Sequence, residues 1–165
     1  MTAREGIDAM DDTVWLKEMT NDMYHAFFRE YENDPDIYLD KSAYTAYIYN
    51  EETVNKYIQR QIDLNRLPFA IMHGDEIIGE LKLYNIEPRK CATLGIALKN
   101  ARFKDLGYGS QAERLAVDYV FNVLDIPTLY ADSVLTNTRS QHVLEKVGFQ
   151  FIRQDEEKKY YRITR

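Results

Sequence analysis

In the middle of the chain, an apolar segment, a glycine turn and an amphipathic segment follow one another. Residues 93–98 have the composition of a buried strand, and Gly107 and Gly109 mark the turn after it. Residues 111–124 repeat apolar side chains at helical spacing, and residues 128–135 again resemble a strand. The stretch therefore predicts a strand–helix–strand unit, whose two strands are parallel. The polar residues predicted elsewhere around this helix are Glu113, Arg114, Asp118 and Asn122.

The glycine turn is suited to a phosphate group. Gly107 and Gly109 permit a sharp bend and allow backbone N–H groups to come close to a ligand. The following helix adds unpaired N–H donors and about half a positive charge at its N-terminus. Ser110 can add a hydroxyl group, and Lys104 or Arg102 a full positive charge. A glycine pair alone is more often a simple surface turn, so the next segment decides between the two interpretations.

A short helix with polar residues at its start follows the second strand. We predict that Thr138 caps this helix, with Gln141 completing a capping box, and that Gly148 ends it. Because the helix starts at the end of the second strand, Asn137 and Ser140 should face the same crevice as the glycine turn. Asn137 could also be a capping residue, but the predicted capping box would leave it free.

Two short patterns resemble those of the GCN5-related N-acetyltransferase (GNAT) family, within it the branch that includes the ribosomal-protein N-terminal acetyltransferases. The first is Lys104-x-x-Gly107-x-Gly109, which is similar to the coenzyme A loop of the family. The second is Asn137-x-x-Ser140, followed after three intervening residues by Leu-Glu-Lys-Val-Gly-Phe at 144–149. Their order and spacing around a strand–helix–strand unit make the resemblance more specific than either pattern alone.

The resemblance covers about residues 68 to 151 and implies an α+β (mixed α/β) fold. In this fold a central, mostly antiparallel sheet of six to seven strands has helices on both faces and one parallel strand–helix–strand crossover. We expect a single domain over residues 1–165, with residues 1–12 as a loose tail. The resemblance also implies an acyltransferase that moves the acetyl group of acetyl-CoA directly to an amine, without a metal.

The resemblance places coenzyme A along the first strand and across the glycine turn. Backbone groups of Ile96 and Leu98 would hold the pantetheine arm, and an N–H near Ile96 or Ala97 would stabilise the oxyanion. The turn would hold the pyrophosphate, and Asn137 would contact the arm. The residues expected to bind the cofactor are Ile96, Ala97, Leu98, Lys104, Gly107, Tyr108, Gly109, Ser110 and Asn137.

The chain departs from the family at two catalytic positions. Leu144 stands where many relatives carry the tyrosine that protonates the coenzyme A thiolate, so Ser140 is the nearest replacement. Thr93 stands where many relatives place a glutamate, so the resemblance assigns no general base. Glu80, on the polar face of a predicted strand, is a possible base, directly or through water, if that face lines the acceptor cleft, although such a residue is more often simply solvated.

The segment 36–50 is rich in tyrosine and carboxylate side chains. Tyrosine packs well at the border between a loop and a core, which is the more ordinary interpretation. The alternative is an acceptor pocket, in which rings such as Tyr44 and Tyr47 and nearby carboxylates hold an ammonium group before it loses its proton.

The remaining segments read as strands and helices around the central unit. Strands are predicted at 14–19, 69–72, 77–86, 149–152 and 160–163. Helices are predicted from an Asn21 cap onwards and at 53–64.

Composition limits the classes of partner. The net charge of −6 argues against nucleic acid or an anionic membrane and is compatible with a cationic amine acceptor. The single cysteine, Cys91, allows no internal disulfide and favours a reducing, cytoplasmic location. No signal peptide or membrane-length apolar segment is recognisable, and His25, His73 and His142 lack the spacing of metal ligands. A monomer or a homodimer is expected.

An alternative function of another class is a non-catalytic module that binds coenzyme A as a sensor or an interaction subunit. The missing tyrosine and strand glutamate favour it. Retention of Asn137 and Ser140 and the aromatic, acidic segment favour an enzyme.

Overall fold

A single mixed sheet forms the centre of the computed structural model, which describes residues 13–165; the predicted tail at 1–12 lies outside the described residues. The sheet has seven strands in the order β1-β2-β3-β4-β5-β7-β6. Only β4 and β5 are parallel among these neighbouring pairs. The strands are β1 (Val14–Glu18), β2 (Leu67–His73), β3 (Glu76–Glu87), β4 (Cys91–Leu98), β5 (Thr128–Val134), β6 (Gln150–Gln154) and β7 (Lys158–Thr164).

Four α-helices cover the two faces of this sheet in the described part of the chain. They are α1 (Asn21–Arg29), α2 (Glu51–Asp63), α3 (Tyr108–Asn122) and α4 (Thr138–Val147). On β2, Ile71 belongs to the core shared with α3 and α4, whereas its neighbours Ala70 and Met72 belong to the core shared with α1 and α2. Because successive strand residues point to opposite faces, the helix pairs lie on opposite sides. The predicted α+β fold, with one parallel crossover, is confirmed.

The parallel strands β4 and β5 pair over only part of their length. The pairing runs from Cys91, opposite Thr128, to Leu94, opposite Ala131. Beyond Leu94, β4 continues to Leu98 while paired with β3 alone. The edge of β4 that faces β5 therefore carries unpaired backbone groups over residues 95–98, and such groups need a partner.

Besides α2, which begins at Glu51 and not at residue 53, three helix starts differ from the prediction. Thr20, not Asn21, caps α1, because its side chain accepts a hydrogen bond from the Met23 N–H. Helix α3 begins at Tyr108, so Gly109 lies within its first turn and not before it. The third difference, at α4, affects the site directly and is described with it. The predicted end of α4 at Gly148 is confirmed, since this glycine has a left-handed φ of 115°.

Two of the histidines, His25 and His73, make local contacts within the fold. The ring nitrogens of His25 lie 2.8 Å from the Tyr49 hydroxyl and 2.8 Å from Asn55 Oδ1. The ring of His73 lies 5.1 Å from that of Tyr108, measured between centroids. Within residues 13–165, no three His, Cys, Asp or Glu side chains are grouped as metal ligands would be. Among the described helices, none combines the length and the apolar character needed to cross a bilayer.

Candidate active site

A cavity of about 260 Å³ opens where β4 and β5 separate. Its wall is formed by the end of β4, the first turns of α3 and α4, and the connection that follows α1. The lining residues are Tyr31, Asp34, Ile37, Ile96, Ala97, Leu98, Lys104, Gly109, Glu113, Asn137, Arg139, Ser140 and Val143. The structure thus brings together residues from four separate parts of the chain, including most of those predicted to bind the cofactor.

A second, wider cavity of about 590 Å³ adjoins the first at the glycine turn. The two share Leu98, Gly109, Arg139 and Val143. The second cavity also contains Gly107, Tyr108 and Ser110, together with the basic or titratable side chains of His142 and Lys146. A narrow cavity with both apolar and charged side chains therefore leads into a wider one, which contains Asp105 as well as the cations Arg139 and Lys146.

The two glycines of the turn have different structural roles. Gly107 has a left-handed φ of 83°, which disfavours any other residue, and it stands at the N-cap of α3 without a side-chain cap. Gly109 is helical, and a Cβ placed there would meet only Val143 Cγ1, at 3.9 Å. The chain bend therefore requires Gly107, whereas the missing side chain at Gly109 leaves space beside the uncapped helix end.

The side chains of Tyr108 and Ser110 are directed into the protein. Tyr108 is buried against the ring of His73. The Ser110 hydroxyl is also buried, and it donates a hydrogen bond to the Gly107 carbonyl over 3.3 Å. A ligand at the turn can therefore contact the backbone of these two residues. The Ser110 hydroxyl, which the sequence suggested as a ligand group, is directed to the Gly107 carbonyl instead.

The two cations predicted beside the turn are both paired. Lys104 Nζ lies 2.6 Å from Asp34 Oδ2, and the Arg139 guanidinium lies 3.5 Å from the same oxygen. Burial raises the pKa of the Asp34 carboxyl, but hydrogen bonds from Lys104 and from the Asp36 N–H outweigh it and hold the pKa below its usual value. Arg102 instead pairs with Glu76, at 2.9 Å.

Asn137 and Ser140 both line the cavity, but not in the predicted arrangement. The Asn137 side chain accepts a hydrogen bond from the Ser140 N–H over 3.2 Å and so caps α4. The predicted Thr138–Gln141 capping box is therefore wrong. Thr138 is the first helical residue, and the Gln141 amide donates to the carbonyl groups of Val134 and Leu135. Asn137 keeps its amide NH₂ group as a donor for a ligand.

Glu80 lies next to the cavity but does not line it. It is directly opposite Ala97 on the neighbouring strand, so the two side chains share one face of the sheet. The carboxyl group is buried, accepts a hydrogen bond from the Tyr57 hydroxyl at 2.7 Å and lies 3.5 Å from Lys82 Nζ. The expectation of a solvated Glu80 is wrong, because Tyr57 closes over its face of the strand.

The tyrosine-rich segment reaches the cavity through only part of its length. Ile37 lines the cavity, whereas Tyr44 and Tyr47 do not. The Tyr47 ring packs 5.2 Å from that of Tyr31, and its N–H donates to Asn33 Oδ1 over 2.8 Å. Tyr44 is 37% exposed. Burial, more than its neighbours, raises the pKa of Tyr31 in the cavity wall to about 12.

Glu113 is a lining residue that the sequence did not single out. The sequence predicts one of several polar positions around α3 here, but the exposed fraction of Glu113 is only 1%. Its Oε2 atom is buried without a hydrogen-bond partner in the described part of the chain. Burial raises the pKa of this carboxyl to about 8. Its position between the buried Ala112 and Ala116 was the available signal, because the apolar stripe of the helix surrounds it.

A family model described as an acetyltransferase (GNAT) domain matches residues 13–150. The chain belongs to the GNAT acetyltransferase family. The family predicted from the two sequence patterns is thereby confirmed. A comparison with curated protein sequences gives no significant match.

Several solved GNAT structures share the fold. Aminoglycoside acetyltransferase AAC(6')-Ib, solved with coenzyme A, is 17% identical with a TM-score of 0.74, covering 93% of this chain and 95% of that chain. RimL, a ribosomal L7/L12 α-N-protein acetyltransferase solved with coenzyme A, is 19% identical with a TM-score of 0.73 and the same coverage of both chains. The N-acetyltransferase PseH of Campylobacter jejuni is 21% identical with a TM-score of 0.64, covering 92% and 97%. At these identities the similarity concerns the fold, and the predicted branch stays a prediction.

Proposed function

We propose that this protein transfers the acetyl group of acetyl-CoA to a primary amine in a ternary complex. The observation that carries the proposal is the cavity between the separated ends of β4 and β5, lined by unpaired strand backbone and joined to an uncapped helix N-terminus. Family membership supports acetyl transfer as the reaction. The solved relatives with coenzyme A bound have the same fold.

The wider cavity fits the phosphate-bearing half of coenzyme A. Uncapped N–H groups at the start of α3 provide donors for an anion, and the open space at Gly109 allows its close approach. Lys146 adds positive charge to this cavity, and Arg139 can add more if the phosphate draws it from Asp105, with which it is paired at 3.0 Å. Lys104 can contribute as well if the pyrophosphate competes with Asp34, because both anions need the same ammonium group.

The narrower cavity fits the pantetheine arm. Its wall contains Ile96, Ala97 and Leu98, whose strand edge lacks a partner on β5. When bound, acetyl-CoA supplies an acetyl group activated as a thioester. The chain supplies backbone groups that orient the arm, an N–H near Ile96 or Ala97 for the developing oxyanion, and the Asn137 amide as a further donor.

Ser140 and Glu80 are the proposed proton-transfer residues. Ser140 lines the cavity beside Asn137 and is the proposed donor to the departing thiolate. Glu80 is screened by Tyr57 and one strand away from the cavity, so we assign it a role as base only through an intervening water. Positioning by the strand and the two helix starts supplies much of the rate in this mechanism.

The acceptor enters on the side formed by the connection between α1 and α2. Tyr31 and Ile37 provide a ring and an apolar surface there, and Asp34 provides a carboxylate that an amine can reach only in competition with Lys104 and Arg139. These groups suit a cationic amine with some apolar character. Tyr44 and Tyr47 belong to the same connection and are proposed to shape the acceptor site from its outer side.

The test is release of free thiol from acetyl-CoA in the presence of separate amines: polyamines, aminoglycosides, small amines and peptides with free N-termini. We expect at least one class to accelerate release over a control without amine, with the acetylated amine detected by mass spectrometry. The alternative, a non-catalytic coenzyme A module, is favoured by Leu144, which is buried in the core where a tyrosine acid would be. Tight binding of acetyl-CoA without acetylated product from any class would support that alternative.

A further inference from the structure

Glu113 is a buried carboxyl group with no partner in the described part of the chain. It lies on α3 four residues after Gly109, so both residues occupy one face of the helix and line the same cavity. Its Oε2 atom is completely buried and makes no hydrogen bond, although buried polar atoms are almost always paired. A ligand in the cavity could therefore supply the hydrogen-bond partner that the Glu113 carboxyl lacks.

No charged group of the described chain pairs with Glu113. The titratable groups on the elements packed against α3 are Lys17 and Glu18 on β1, His73 on β2, Cys91 on β4, Tyr130 and Asp132 on β5, and Arg139, His142, Glu145 and Lys146 on α4. Those across the cavity are Tyr31, Asp34 and Lys104, and the last two bind each other. The adjacent Arg114 on α3 is exposed and only weakly favours the ionised form.

The surroundings of Glu113 in the cavity suit a neutral ligand group better than an ion. Ile96, Leu98, Gly109 and Val143 provide an apolar wall, and the free edge of β4 provides amide groups. A protonated carboxyl both donates and accepts a hydrogen bond, which complements an amide or a thioester carbonyl. An ionised carboxyl could only accept, and it would be costly to bury beside such a wall.

We propose that Glu113 stays protonated and donates a hydrogen bond to a carbonyl group of the acyl-pantetheine arm, so that the cofactor binds more weakly once Glu113 ionises. This inference rests on the proposed function, since it takes the arm to occupy the narrower cavity. It adds a residue outside the two patterns that identify the family in the sequence. It also makes the affinity for acetyl-CoA dependent on pH near neutrality.

The direction of this dependence follows from the burial of the group. Burial raises the pKa of Glu113 to about 8, so the protonated form predominates at pH 7. A ligand that requires the protonated form keeps its full affinity below that pKa and loses it above. One pH unit above the pKa, only about a tenth of the protein is protonated, so affinity at pH 9 should be about tenfold lower than at pH 7.

The experiment is calorimetric titration with acetyl-CoA at pH 7, 8 and 9. Acetyl-CoA is the suitable probe because its thiol is blocked and its phosphate groups, with a second pKa near 6, stay ionised across this range. Wild type is compared with Glu113→Gln, which keeps a donor but cannot ionise, and with Glu113→Leu, which has no donor. Asp118→Asn, an exposed acidic residue on the same helix, is the control for loss of negative charge.

We expect wild type and Asp118→Asn to lose about tenfold in affinity between pH 7 and pH 9. Glu113→Gln should bind acetyl-CoA nearly as well as wild type at pH 7, and its affinity should change less than about twofold between pH 7 and pH 9. Glu113→Leu should bind about fivefold more weakly at pH 7, the usual value of one hydrogen bond.

Two results would overturn the inference. One is the same loss of affinity with pH in Glu113→Gln as in wild type, and the other is unweakened binding by Glu113→Leu at pH 7. A wild-type protein that binds no acetyl-CoA at pH 7 would contradict the proposed function itself. Unfolding curves for each variant at pH 7 and 9 exclude loss of the fold as the cause of weak binding.

Discussion

Replacing Glu113 with glutamine should stabilise the protein, and by more at high pH than at low pH. Burial raises the pKa of this carboxyl from 4.5 to about 8, so the folded state holds its proton more tightly than the unfolded state does. The contribution of Glu113 to the free energy of unfolding is therefore most favourable below pH 4.5, and it is lost progressively as pH rises towards 8. Glutamine cannot ionise and has no such dependence.

The size of the effect follows from the two pKa values. At pH 7 the solution is about 2.5 pH units above the pKa of this carboxyl in the unfolded protein, and each unit corresponds to about 1.4 kcal/mol. Because Glu113 must take up a proton when the protein folds, its protonation reduces the free energy of unfolding by about 3 kcal/mol. No discount for solvent screening is needed, because the residue is only 1% exposed. We therefore expect Glu113→Gln to gain about 3 kcal/mol at pH 7, more at pH 8.5, and little at pH 4.

Urea unfolding followed by circular dichroism at pH 4, 7 and 8.5 measures this difference. The comparison is between wild type, Glu113→Gln and the exposed-site control Asp118→Asn, since other titrating groups are common to all three. The difference between wild type and Glu113→Gln should widen with pH, whereas Asp118→Asn should follow wild type. Stability curves for Glu113→Gln and wild type that stay parallel from pH 4 to pH 8.5 would refute this reasoning.

Three further predictions concern binding and turnover. Gly109→Val should weaken acetyl-CoA binding at least tenfold, about 1.4 kcal/mol, because its side chain fills the space beside the helix end; calorimetry measures this, with Asp118→Val as control. Ser140→Ala should reduce turnover by roughly ten- to a hundredfold with cofactor affinity nearly intact, as measured by steady-state kinetics. Tyr44→Ala should raise the Michaelis constant of the acceptor more than that of acetyl-CoA, because Tyr44 does not line the cofactor cavity and belongs to the connection where the acceptor is proposed to enter.

Each of these has a contrary result. If Gly109→Val binds acetyl-CoA with unchanged affinity, the proposal that the pyrophosphate binds at the start of α3 is wrong. Weaker cofactor binding by Ser140→Ala at unchanged turnover would make Ser140 a binding residue, and no effect on either would leave protonation of the thiolate to water. Equal increases in both Michaelis constants for Tyr44→Ala would favour a packing role for that ring.

The strands, the crossover and the glycine turn were predictable because each is encoded by neighbouring residues. The apolar run of β4, the helical spacing of α3 and the composition of β5 are local periodicities, and they imply a parallel pair. The positive φ of Gly107 is likewise a local requirement. Helix starts were less predictable, because adjacent polar residues compete for one cap: Asn137 and Thr138 can both accept the same kind of hydrogen bond, and the chain path selects Asn137.

Burial and long-range pairing were decided by the tertiary structure alone. Glu80 looks like an ordinary surface carboxylate in sequence but is covered by Tyr57, and the only local signal for the burial of Glu113 is its position between Ala112 and Ala116. Lys104 and Asp34 are 70 residues apart in the chain, and only folding places Lys104 Nζ 2.6 Å from Asp34 Oδ2. The local pattern of residues thus determined the secondary-structure elements and the glycine turn. The charge state of a carboxyl depends on which distant groups exclude water from it, and that depends on the assembled fold.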